Sequence, residues 1–248
     1  MRWILKRLFG RRPAAQQAVD QTAELPVGMD VPSPDDFSWM LPPTTLKDAA
    51  AWDRYWHDQL DHGVAGFVHV FCDDGDLVDA MRSNSLKTIL CIGNGISQEP
   101  RALAWAGFDA TALDLSPFAT EVARDVSPPA EFLAHLVGER SGGLNGHLEF
   151  VVGDLCDASC CPGPYDVVID RRTLQLYPEA DRPAAMRAVA NRLASPGIFF
   201  SQSHDGGWKP PAPPRHEAEP WFVAEGWRFW RGDVPLKERV AWLFTTTG

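Results

Sequence analysis

No apolar run in this 248-residue chain approaches the roughly 18 to 20 residues that a helix needs to cross a bilayer, which argues against an integral membrane protein. Cations are scarce: 23 Lys+Arg stand against 33 Asp+Glu, a formal net charge of −10. That balance argues against a general nucleic-acid binder, whose affinity comes largely from cationic contacts to phosphate. There are only 5 cysteines, an odd count at irregular spacing. This fits reduced cytoplasmic thiols better than a disulfide framework. No internal repeat is visible, and the nearest thing to low complexity is the segment KPPAPP at 209–214. What is present is 45% apolar and 23% charged residues, an ordinary globular balance in a chain long enough to bury a sizeable core.

The few cations are unevenly placed. MRWILKRLFGRRP at the start holds Arg2, Lys6, Arg7, Arg11 and Arg12 and no acid. It lacks the continuous apolar centre and small-residue cleavage site of a secretory signal. Drawn as a helix, Ile4, Leu5, Leu8 and Phe9 share one side, so residues 1–12 read either as a weak membrane-surface contact or as a disordered tail.

Prolines at 13, 26, 32, 34, 42 and 43 break residues 1–44 into an irregular lead-in. From there a single domain is expected over 45–248. Its first part, 45–83, is helical: Thr45 is a plausible cap, Gly63 a plausible stop, and Trp52, Tyr55, Trp56 and Gln59/Leu60 form a stripe at helical spacing. A short helix is expected within 74–83. Strands then alternate with helices. Strands are predicted at 88–92, 110–113, 148–152, 166–169 and 198–202, and helices at 98–106, 117–124 and 181–193. The aromatic, β-branched pieces Trp227–Arg231 and Val240–Thr245 suggest a terminal hairpin. The fold class predicted is α/β: a Rossmann-like, mainly parallel sheet of seven strands with an antiparallel C-terminal hairpin and an N-terminal helical extension.

The most informative segment is LKTILCIGNGISQEPRALAWAGFDATALDLSP. A strand ends at Ile92, Gly93-Asn94-Gly95 turns, a helix begins, and the next strand ends at Asp114. Glycines let a ligand approach the backbone, and an acid at a strand tip can accept hydrogen bonds from both hydroxyls of a ribose. A dinucleotide site wants a third small residue three positions after the second glycine. Here Gln98 stands there and Glu99 follows. An acid at a helix start repels pyrophosphate, so NAD is disfavoured and a cationic ligand without phosphates suits the turn better.

These residues resemble the class I S-adenosylmethionine-dependent methyltransferases, closely over about residues 86–202. Four segments carry the resemblance in order: ILCIGNGIS, ALDLSP, EFVVGDLCD and YDVVIDRRTLQLYP. Two positions depart from the family pattern, Cys91 in place of an acid and Ser97 in place of a third glycine. The resemblance implies S-adenosylmethionine as cofactor. It places Gly93, Asn94 and Gly95 at the methionine end, Asp114 with Leu115 and Ser116 at the ribose, Gly153, Asp154 and Leu155 at the adenine, and Asp170 beside the transferred methyl. Asp114 and Asp154 could instead be ordinary caps or loop acids, and Asp170 could pair with Arg171 or Arg172 as a surface salt bridge.

Cofactor motifs do not specify the acceptor. Trp52 and Trp56 resemble the tryptophan-bearing lid of small-molecule methyltransferases such as the thiopurine and thiol group, and Trp52 is a candidate for the cofactor's sulfonium face through cation–π attraction. Both tryptophans could equally be core. His204 and Asp205 in SQSHDGGW, with Arg172, are the candidate catalytic residues, and the pair could also be solvated loop. Cys156, Cys160 and Cys161 have no histidine at finger-like spacing, which speaks against zinc. The expected activity is methyl transfer to a small-molecule acceptor, without nucleic acid, in the cytoplasm. Protein methylation and a non-catalytic interaction protein of the same fold are the alternatives.

If residues 1–12 touch anionic membrane, the full chain will pellet with anionic vesicles more than a chain starting at Ala14, and the difference will fade as salt rises. Equal pelleting would leave only the disordered tail.

Overall fold

The computed structural model describes residues 42–45, 47–62, 75–136 and 146–202, together with the backbone of 216–224 and 239–246. The apolar run Thr88–Ile92 is β1, buried from Ile89 onward. Strands β2 (Asp109–Asp114), β3 (Leu148–Val152), β4 (Tyr165–Arg171) and β5 (Leu193–Gln202) follow in chain order. β1 pairs in parallel with β2 and β4, β2 with β3, and β4 with β5. Strands covered on both faces need apolar side chains at every position, and alternate residues then serve opposite layers. The packing follows that rule. Ile89, Cys91, Val167, Ile169, Ile198 and Phe200 belong to one core cluster, whereas Leu90, Ile92, Val168 and Phe199 belong to another.

The preceding helices are α1 (Ala49–Asp61) and α2 (Gly75–Ser83); between the strands lie α3 (Glu99–Trp105), α4 (Pro117–Asp125), α5 (Ala130–Leu136) and α6 (Arg182–Arg192). Leu77, Val78 and Met81 of α2, Leu103 and Trp105 of α3 and Leu133 of α5 fill the first cluster, and Ala185, Met186 and Val189 of α6 fill the second. The fold is therefore an α/β sandwich around a mostly parallel sheet. The strands hydrogen-bond in the order β3-β2-β1-β4-β5-β7-β6, with β7 (Arg239–Thr246) antiparallel to both β5 and β6 (His216–Ala224).

Several sequence expectations need correction. The cap of α1 is Asp48, not Thr45: its carboxylate accepts from Ala50 N and Ala51 N at 3.0 and 3.2 Å, and acids are strong N-caps. The hairpin partner of β7 is 216–224. Residues 227–231, expected to be that strand, lie outside the described residues, as does most of the lead-in 1–44. Two acids and Pro220 disguise 216–224 as loop. A proline is tolerated there because β6 is an edge strand and its register shifts between Pro220 and Phe222. β5 begins at Leu193 rather than 198, with a register shift against β4, and α5 was not foreseen.

Asp166 closes the bottom of the sheet. Its Oδ2 accepts from Lys87 N (2.7 Å), Thr88 N (2.8 Å) and the Thr88 hydroxyl (3.1 Å). Burial pushes this carboxyl up, but the Thr88 and Lys87 donors outweigh it and hold it below its ordinary value. A depressed carboxyl stabilises the fold above its unfolded pKa, and that contribution disappears as pH falls through the folded value. Asp166→Ala is expected to cost about 1.5 to 3 kcal/mol at neutral pH. In denaturant melts the gap between variant and parent should close under strongly acidic conditions.

Candidate functional site

Parallel strands bring their carboxyl ends to one edge, and in open α/β sheets that edge carries the ligand crevice where the strand order reverses. Here the reversal lies between β1 and β4. The turn Gly93–Gly95 follows β1, Asp114–Ser116 ends β2, Gly153–Leu155 follows β3, and Asp170–Thr173 ends β4. Four segments that are distant in sequence thus become neighbours.

Gly93 and Gly95 both have left-handed backbone, φ +57° and +54°, which a side chain would strain. Asn94 braces the turn from inside, donating to Gly95 O (3.2 Å) and Ser97 O (3.1 Å). Space above the glycines is already shaped: a Cβ on Gly93 would run into the Thr173 side chain, and one on Gly95 into the Trp56 indole. Asp114 faces this turn. Its Oδ2 accepts from Gly95 N at 2.6 Å and its Oδ1 from Ser116 N at 2.8 Å. Burial raises the Asp114 carboxyl, the Ser116 and Gly95 N–H groups oppose the rise, and the charge of Asp53 adds to it. Gly153 N donates to Asp114 O at 2.9 Å, so the β3 tip sits directly alongside. Asp154 turns its own loop by accepting from Cys156 N at 2.8 Å, and Leu155 is buried.

Helix α1 covers this edge. Trp56 and Leu60 pack on Ile96 and Ala119, and His57 stacks on Phe118 with ring centroids 3.5 Å apart. The acid Asp53 accepts from the Ser116 hydroxyl and from Phe118 N. Trp52 meets Tyr55 edge-on at 5.5 Å, and Tyr55 meets Trp56 at 5.2 Å. The indole against the glycine turn is therefore that of Trp56, while Trp52 stands one turn earlier and supports Tyr55. Asp53 went unnoticed in the sequence. Its signal was its place on the same stripe as Trp56 and Leu60, three and seven residues on.

The start of α3 differs from expectation. Glu99 is not an open charge aimed at a ligand. Arg171 grips it, with Nη2 2.5 Å from Oε1 and Nε at 3.1 and 3.2 Å from the two oxygens. Arg171 also donates to Gln202 (2.6 Å) and lies over the Phe200 ring. Gln98 is buried and donates to Ala123 O at 3.1 Å. Repulsion by Glu99 is thus no argument against pyrophosphate. The structure supplies a different one: the Ser97 hydroxyl already takes Glu99 N (3.1 Å), and Pro100 has no N–H. A helix start with one N–H already taken and a second position lacking one is a poor anion site.

Asp170 is likewise no surface ion pair. It is buried, accepting from Thr173 N (2.9 Å), Leu174 N (3.2 Å) and the Ser201 hydroxyl (2.7 Å). Burial pushes it up to about 6 against those bonds. It shapes the turn that presents Thr173 to Gly93. Arg172, between them, has left-handed backbone at φ +70°. Burial lowers Arg172 to about 10 while Tyr55 opposes the shift, and burial raises Tyr55 to about 12. His204 and Asp205 lie outside the described residues. Cys156, Cys160 and Cys161 sit in the loop after β3, where the buried Arg192 donates to Cys160 O and Cys161 O (2.8 and 3.0 Å). Among the described residues no group of three His, Cys, Asp or Glu could hold a metal ion.

No protein-family profile matches the chain, and no curated protein matches it in sequence. Solved structures do. An S-adenosylmethionine-dependent methyltransferase from Methanosarcina mazei is 16% identical with a TM-score of 0.51, covering 68% of this chain and 98% of that one. A TehB-like S-adenosylmethionine-dependent methyltransferase from Corynebacterium glutamicum is 21% identical with a TM-score of 0.50, covering 81% of this chain and 100% of that one. The chain has the class I S-adenosylmethionine-dependent methyltransferase fold.

Because the Trp56 indole occupies the space a Gly95 side chain would need, Gly95→Ala is expected to displace α1 as well as strain the turn. We expect a loss of about 1 to 3 kcal/mol in a denaturant melt. Amide exchange should accelerate in α1 while β1 and β4 keep their protection.

Proposed function

We propose that this protein is an S-adenosylmethionine-dependent methyltransferase acting on a small-molecule acceptor, with residues 45–248 as the catalytic domain and 45–83 as its cover. The observation that carries the reading is Asp114, held at a strand tip by two backbone donors beside a glycine turn that an aromatic helix roofs over. Each carboxylate oxygen has a second lone pair for a ribose hydroxyl. The residues suit the cofactor in other ways. The glycine turn gives backbone access for the methionine end, Gly153–Leu155 border the adenine side, and the α3 start offers no pyrophosphate cradle. Tyr55 and Trp56 are aromatic side chains, whose ring faces are of the kind that attract a sulfonium.

When bound, S-adenosylmethionine supplies a methyl group activated for displacement by its positive sulfur. The chain's own residues bind and orient: Asp114 fixes the ribose, the Gly93–Gly95 backbone fixes the tail, and α1 excludes water. Orientation in a dry site can account for much of the acceleration of such a transfer. An acceptor that reaches a sheet edge roofed by α1 is more readily a small molecule than a folded protein. Arg172 and Tyr55, which act on each other electrostatically, are the candidates to face the acceptor. Asp170 acts by shaping the Thr173 turn rather than by touching the methyl. The four cysteines among the described residues are free, as suits a reducing compartment such as the cytoplasm, and no helix among the described residues is long and apolar enough to cross a membrane.

Calorimetry tests the reading. S-adenosylhomocysteine should bind and NAD should not, and Asp114→Ala should lose roughly 2 to 4 kcal/mol of binding if both ribose bonds are charge-assisted. Since Asp114 must be ionised to accept them and its carboxyl is raised, affinity should fall on acidification earlier than for an ordinary aspartate. Tight NAD binding with no response to S-adenosylhomocysteine would refute the assignment.

A further inference from the structure

We infer that Asp53 is a positioning residue: it latches α1 onto the start of α4 and couples closure of that helix to occupation of Asp114. The inference rests on the cofactor reading above for the identity of what occupies Asp114. A closed circuit of contacts motivates it. The Asp53 carboxylate accepts from the Ser116 hydroxyl and, at 3.1 Å, from Phe118 N. Ser116 in turn accepts from Ala119 N at 3.0 Å and donates its own N–H to Asp114 at 2.8 Å. Asp114 takes the Gly95 N–H at 2.6 Å, and the Trp56 indole, one turn beyond Asp53 on α1, lies against Gly95. The circuit leaves α1 at Asp53 and returns to it at Trp56.

Local chemistry explains why an acid stands at position 53. The first N–H groups of a helix have no partner within it and carry a partial positive charge. Two of those of α4 are met here, Phe118 by Asp53 and Ala119 by Ser116. Asp53 therefore holds α1 by charge-assisted bonds, which are about twice as strong as neutral ones. His57, stacked on Phe118, adds a second contact on the same side.

The coupling comes from like charge. Asp53 and Asp114 share Ser116, and Asp53 is the charge from another element that acts on Asp114, with Asp154 standing at the neighbouring β3 tip. Two carboxylates so placed repel. Hydroxyl donors on Asp114 draw off part of its charge, which relaxes the repulsion and lets Asp53 hold α4 more firmly. A ligand that binds Asp114 thus tightens α1, and by linkage a latched α1 tightens the ligand by the same factor.

The test uses the full chain with Asp53→Ala and Asp53→Asn, read by amide exchange of α1 and by calorimetry with S-adenosylhomocysteine across pH. Asp53→Ala should speed exchange across 49–61 without ligand, leave β1 and β4 protected, and weaken S-adenosylhomocysteine about tenfold. Asp53→Asn keeps an acceptor and removes the charge. It should restore α1 protection and move the acidic loss of affinity to lower pH, because Asp114 no longer faces a like charge. Loss of a helix contact alone, with no Asp53 charge acting on Asp114, would not shift that profile. Unchanged α1 exchange in Asp53→Ala overturns the latch. A loosened α1 with unaltered affinity, or an Asp53→Asn profile identical to the parent's, overturns the coupling. Failure of the parent chain to bind S-adenosylhomocysteine would instead strike the cofactor reading, and the coupling with it, while the exchange data would still decide the latch.

Discussion

The carboxylate of Asp114 is the point on which the upper edge of this protein depends. A carboxylate partly withdrawn from water is tolerated only when its oxygens are satisfied, and here the satisfying donors are backbone groups from two different turns. One acid therefore dictates where the β1 turn lies and where α4 starts. Adding the Asp53–Ser116 bond extends that control to α1, which has no strand of its own to hold it in place.

Charge is handled in the same economical way elsewhere in the upper half of the sheet. Glu99 and Arg171 are both largely withdrawn from water and meet in a two-pronged pair, while Gln202 and the Phe200 ring occupy the remaining faces of the guanidinium. Such a pair contributes little net stability relative to apolar packing but is costly to break. Its effect is positional: it ties the end of β4 to the start of α3. Asp170, next to Arg171, spends its bonds on the turn bearing Thr173. Adjacent residues on β4 thus point to opposite layers, one gripping α3 and the other shaping the far wall of the site, as strand alternation requires.

Much of the central sheet was legible beforehand because strands buried on both faces leave an unmistakable mark: short apolar runs such as TILCI, bounded by turn residues. β3 matched to the residue. The edge strand 216–224 was not legible, since an edge tolerates acids and proline that a central strand cannot. The cap of α1 was misplaced by three residues because Thr45 and Asp48 are both good caps, and only the path of the chain selects between them. For the site, spacing sufficed to single out Gly93, Gly95 and Asp114, whose roles are set by backbone geometry at strand ends.

Pairing across the fold was beyond the sequence's reach. Nothing in the order of residues places Arg171 on Glu99, 72 positions away, or Asp53 on Ser116, 63 positions away; such contacts exist only once helices are laid on a sheet. Hence the acid at the α3 start reads from sequence as a charge facing a ligand although Arg171 holds it, and sequence does not tell which indole of the Trp52/Trp56 pair lies against Gly95. Local periodicity and turn chemistry determined which segments became strands and which acid ended β2, because those choices are settled within a few residues. Which charges are neutralised, which indole closes the turn and which acid anchors its helix were decided by tertiary structure, because each depends on partners that only the folded sheet brings within bonding distance.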